Sequence, residues 1–189
     1  MNPAQTQRKS LLPGGSFGLK IGILVGGTVL LMIITAVIMS FIPSNLNGPE
    51  LTALAQSQNG LFATCTDALN NSKSQDTKNF ASNCAISLAT EQTELLAYTS
   101  ERGLKLGKKQ LDLGVNAQSQ NALKASIAAS TYDETFSTLV QSQLTLYMAK
   151  IKATFSTAKS AQQKSLLSTE WTTAKLLEIQ LKSTAAAAS

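Results

Sequence analysis

The sequence predicts an all-α protein in which a single N-terminal transmembrane helix is followed by an extracytoplasmic four-helix bundle with a long crossover. Three observations carry this reading. Residues 21–42 are an uncharged apolar run. Residues 50–183 carry apolar stripes at helical spacing, and no proline follows Pro49. No sustained period-two alternation and no Asn-Gly or Asp-Gly hairpin between apolar runs follows residue 44. Of the 189 residues 43% are apolar and 14% charged, with a net charge of +5. That balance argues against a fully disordered chain, and the length suits about one domain with a buried core.

The run from Ile21 to Ile42 has only Thr28, Thr35 and Ser40 as polar members. As a helix it spans ~33 Å, close to the hydrocarbon thickness of a bilayer. A cleaved signal peptide has an apolar core of roughly 7–15 residues, so this run reads as an uncleaved anchor. Arg8, Lys9 and Lys20 precede it; after it the first charge is Glu50 and the first cation Lys73. Positive residues stay inside, which makes residues 1–20 a basic cytoplasmic tail, 43–49 a linker and the remainder extracytoplasmic. The protein is thus expected at the plasma membrane as a single-pass chain. Three cations precede the span, and 13 cations and 11 acids follow it, so the outer part is only +2. The basic balance therefore marks topology rather than nucleic-acid binding. Gly18, Gly22 and Gly26 share one helix face and would admit a partner helix or a second copy, although such spacing is also common by chance in membrane helices.

The first outer stripe opens at Gly48-Pro49-Glu50, with proline in the first turn and an acid at the positive end of the dipole. It runs Leu51, Leu54, Gln58, Leu61, Phe62, Cys65, Leu69, and the polar stretch 70–76 ends it. The second is Phe80, Cys84, Leu88, Leu95, Tyr98, with a stop near Arg102-Gly103. The third opens with Thr131-Tyr132-Asp133-Glu134, a capping-box pattern, and runs Phe136, Leu139, Val140, Leu144, Tyr147, Ile151, Phe155. After a turn at 159–163, the fourth is Leu167, Trp171, Ala174, Leu177, Leu181. Each helix has one face to bury, and four such helices in two hairpins make a bundle the economical solution. The crossover, about 103–130, is interrupted by Gly103, Gly107 and Gly114, with room for a short helix over 116–129. Residues 184–189 read as a frayed tail.

Cys65 and Cys84 lie on adjacent stripes, and their midpoint falls between Ser74 and Gln75, inside the polar turn. Positions equidistant from the turn of an antiparallel hairpin lie at one height. In an oxidising compartment they are expected to form a disulfide, against the alternative of two buried thiols.

Histidine is absent, which removes His-based triads, His-ligated zinc and a His general base. Two cysteines cannot make a four-thiolate metal site, and their spacing is not the redox Cys-x-x-Cys. No catalytic constellation, metal or cofactor is expected. Glu91 and Glu94, three residues apart, read as a solvated face. Arg102, Lys105, Lys108 and Lys109 form a basic patch that could touch anionic lipid or envelope polymer. It lacks interleaved aromatics, so nucleic acid is not expected.

The outer domain resembles bacterial extracytoplasmic ferritin-like domains of unknown function, over roughly residues 50–183. The segments are Ser74 to Ala81 and Glu94-Leu95-Leu96-Ala97 on the second helix, and Asn121-Ala122-Leu123 through Thr131 to Phe136 leading into the third. The resemblance implies two helical hairpins joined by a crossover. Members often carry His on these helices, where this chain has Leu88 and Gln143. Gly15-Ser16-Phe17-Gly18-Leu19 before the apolar run is slightly similar to a type IV prepilin leader, but Lys20 stands where an acid would be expected.

The function expected is that of a non-enzymatic, membrane-anchored binding or scaffold module. Its partners would be membrane lipid and an envelope protein or a second copy. A ligand-sensing bundle and a pilin-like subunit are the alternatives.

Overall fold

The computed structural model describes residues 47–187. The apolar span 21–42, the basic tail and Gly18, Gly22 and Gly26 lie outside the described residues. No helix among those described is long and apolar enough to cross a membrane. The described chain is all-helical, without strands: α1 Gly48–Asn71, α2 Gln75–Glu101, α3 Lys108–Leu111, a 3-10 turn Asp112–Gly114, α4 Ala117–Ala129, α5 Tyr132–Thr157 and α6 Ala161–Ala187.

Local chemistry sets most of the boundaries. Pro49 sits in the first turn of α1, where its missing N–H costs nothing. Ser72 is extended, and the Ser74 side chain accepts from the Thr77 amide to cap α2. The turn is therefore only residues 72–74, shorter than the polar stretch suggested, and Gln75 and Asp76 are already helical. Gly103 ends α2 in the left-handed region at φ 84°. Its N–H bonds Ser100 O, and that of Leu104 bonds Thr99 O, the paired closure that a left-handed residue permits. Asn116 caps α4 through the amides of Gln118 and Ser119.

The capping box expected at Thr131 does not form, since the Thr131 side chain makes no cap hydrogen bond. Its amide closes α4 onto Ser126 O behind Ser130, which adopts φ 58°. The start of α5 is held instead by Asp133, whose carboxylate accepts from the Ser72 hydroxyl and the Ser74 amide. Helix α6 continues to Ala187, into the stretch read as a tail. Alanine is the strongest helix former, so the run of alanines extends the helix.

The four long helices pack in cyclic order: α1 on α2 and α5, α5 on α6, and α6 back on α2. Hydrogen bonds mark one end. Asn47 reaches Thr157 (2.7 Å), Tyr98 meets Ser160 (3.2 Å) and Arg102 donates to Gln162 (2.7 Å). The starts of α1 and α6 thus lie beside the ends of α2 and α5. The crossover lies against α1 and α4 against α5. Gly60 and Gly114 permit this close approach. A Cβ on Gly60 would meet the Gly114 carbonyl, and one on Gly114 the Gln56 carbonyl.

The apolar stripes supply the core, including Leu51, Leu54, Leu61, Leu88, Leu95, Val140 and Leu144, with Phe80 edge-on to Phe136 at 6.1 Å. Phe62 and Leu139 are only partly buried, and three expected members are exposed. Leu69 gives its place to Ala68, and Phe155 and Trp171 stay 42% and 37% exposed.

Candidate functional site

Each long helix sends one polar side chain into the same buried layer: Gln58 from α1, Glu91 from α2, Tyr147 from α5 and Glu170 from α6. All four are buried, Gln58, Tyr147 and Glu170 fully so. Their placement follows from helical spacing. Glu91 falls between Leu88 and Leu95, and Glu170 between Leu167 and Ala174. Flanked by buried residues at three and four positions, these side chains share the inward face. The solvated-face reading holds for Glu94, which is exposed, but is corrected for Glu91.

The Gln58 amide donates to the Tyr147 hydroxyl at 3.1 Å, and that hydroxyl donates to Glu91 Oε2 at 3.4 Å. Glu170 faces the same hydroxyl and Glu91. The tyrosine has one proton to give, and neither Glu170 oxygen completes a hydrogen bond. Glu91 Oε1 and Gln58 Oε1 are unpartnered as well. Burial disfavours charge here. It lifts the Glu91 carboxyl to about 7, against hydrogen bonds from Thr173, Tyr147 and Gln58 that pull it down. Burial and the neighbouring Glu91 lift Glu170 to about 8. The same burial, with both carboxylates close by, holds the Tyr147 phenol protonated well beyond its usual range.

Four buried acceptor atoms, Gln58 Oε1, Glu91 Oε1 and both Glu170 oxygens, thus complete no hydrogen bond, while Thr173 and Gln58 are the donors that face Glu91. Such a layer can hold protons, or a small guest that donates hydrogen bonds or positive charge. It does not match the His-bearing set implied by the ferritin-like resemblance. Leu88 is an apolar core residue, and half-buried Gln143 lines a groove with Gly60 and Gly114. Among the described residues no cluster of three or more His, Cys, Asp or Glu is suited to a metal. We derive no metal-dependent step.

The remaining sequence-predicted residues fall elsewhere. Cys65 and Cys84 form a disulfide between α1 and α2, with Cα atoms 6.2 Å apart, both fully buried. Arg102 lies over the Tyr98 ring at 3.8 Å, and Lys105 is exposed in the loop that follows. Lys108 pairs with Asp112 at 2.8 Å. Lys109 sits beside Gln110, whose carbonyl accepts from Gln56, two turns into α1. The crossover runs along α1, which it meets at Gln56 and Gly60.

Comparison with protein-family models, curated proteins and solved structures finds no match to this chain.

Proposed function

We propose that this chain is a single-pass membrane protein whose extracytoplasmic four-helix bundle, with ferritin-like connectivity, acts as a binding module without catalysis. The anchor and orientation rest on the run 21–42 and its flanking charges. The extracytoplasmic side is supported by the Cys65–Cys84 disulfide, a bond that persists where the surroundings oxidise. The bundle is supported by the cyclic packing of four long helices and the crossover between them.

The single observation carrying the binding role is the layer of Gln58, Glu91, Tyr147 and Glu170, with its unpartnered acceptors. A bundle that served only as a rod would gain stability from leucine at these places. The guest that satisfies the layer is a small amine cation or a neutral hydrogen-bond donor, and it competes with protons for the two carboxyls.

Native mass spectrometry of the purified full-length chain, with thermal melts in ammonium and small primary amines, tests this. The expected result is a retained small mass or a raised melting temperature. Either is lost in Glu91→Gln/Glu170→Gln and grows as pH rises through the carboxyl range. Neither response in the wild-type chain would refute the binding role. Alkaline carbonate extraction of native membranes tests the anchor separately, and the chain is expected to stay in the pellet.

A further inference from the structure

The end of the helices where Asn47 enters differs in charge from the other. Lys105, Lys152, Lys159 and Lys164 are exposed there, with half-buried Arg102. The acids at this end are Glu50 and Glu101, the latter 3.5 Å from Arg102. The opposite end is balanced, with Lys73, Lys78, Lys175 and Lys182 against Asp67, Asp76, Asp133, Glu134 and Glu178. The same end carries an apolar groove of about 330 Å³ between α5 and α6, lined by Ile151, Lys152, Phe155, Leu167, Ser168 and Trp171. Phe155 and the sole tryptophan of the chain are the two expected core aromatics that stay exposed.

Only residues 43–46 separate the apolar run from Asn47, at most about 18 Å of extended chain. The end that carries Asn47 is thus held within reach of any bilayer the run crosses. Lysines beside exposed aromatics are the composition of a surface that meets lipid headgroups, the cations finding phosphate and the aromatics the interfacial region.

We propose that the α5–α6 corner of this end, with Lys152, Lys159, Lys164, Phe155 and Trp171, docks on the anionic surface of the bilayer that anchors the chain. This rests on the anchored reading above. Docking tilts the bundle toward α5 and α6, which brings Trp171, about 15 Å along α6 from its start, down to the headgroups. The attraction is electrostatic and screened by salt.

The test places the full-length chain in nanodiscs of phosphatidylcholine, alone or mixed with phosphatidylserine, with a headgroup-linked nitroxide quencher. Trp171 emission reports contact. In anionic discs at low salt the emission is expected to fall at least about twofold below that in neutral discs, as several lysines act together. It should recover at high salt, and in Lys152→Glu/Lys159→Glu/Lys164→Glu at low salt. The salt titration on the native chain carries the test if the variant does not fold. Emission that is the same in neutral and anionic discs, or insensitive to salt, overturns the docking. Release of the chain by alkaline carbonate overturns the anchor and the docking together. Retention with an unquenched Trp171 overturns the docking alone.

Discussion

Replacing Glu170 by Gln should make the bundle more stable in alkali and leave it almost unchanged in mild acid. The carboxyl is fully buried, and its folded value near 8 stands above the ordinary carboxyl value of 4.5. A raised carboxyl binds its proton more tightly in the folded chain, so its contribution is complete below about 4.5 and is lost as pH rises through about 8. At about 1.4 kcal/mol per pKa unit this loss has an upper limit of about 5 kcal/mol for Glu170 and about 3 kcal/mol for Glu91, which titrates near 7. The two are coupled and do not simply add. Glutamine keeps the volume and removes the charge, so Glu170→Gln should gain a few kcal/mol over wild type at about pH 9 and little at about pH 5.

Glu91 is the coupled group that titrates in the same window and is present in both wild type and variant. The chain has no histidine, and both cysteines are in the disulfide. Urea unfolding of the full-length chain in micelles, followed by Trp171 fluorescence at several pH values, gives the two curves. Stability curves for wild type and variant that run parallel from about pH 5 to about pH 9 would show that Glu170 does not titrate in the core, and would refute the reasoning.

Further tests address how the bundle is held. Reduction of Cys65–Cys84, with a sequence separation of 19, should destabilise the bundle by about 3 kcal/mol, read as a lower melting temperature in reductant. Gly60→Ala drives a methyl group into the Gly114 carbonyl, so the crossover must shift, at a cost of about 2 kcal/mol or more in urea unfolding. Asp133→Ala removes the acceptor for the Ser72 hydroxyl and Ser74 amide and should cost about 1–3 kcal/mol, with faster amide exchange at the α1–α2 turn.

The helices were legible because apolar spacing and the last proline leave few other readings for residues 50–183. The cysteine pairing was legible because a hairpin turns equal distance from its turn into equal height. Glu91 was missed by grouping it with Glu94 when its spacing to Leu88 and Leu95 already placed it inward; the same pattern around Glu170 was available. Thr131 shows the opposite failure. Its capping motif was present, but its backbone was already engaged in closing α4 onto Ser126.

By itself the sequence determined the helical class, the stripes, the crossover and the charge asymmetry about the apolar run. These depend on residues near one another along the chain. Only the tertiary structure decided that Gln58, Glu91, Tyr147 and Glu170 share a layer, and that Phe155 and Trp171 remain at the surface. Those outcomes depend on the relative height and rotation of packed helices. A one-residue slip turns a helical side chain by about 100°, which separates a buried carboxyl from a solvated one.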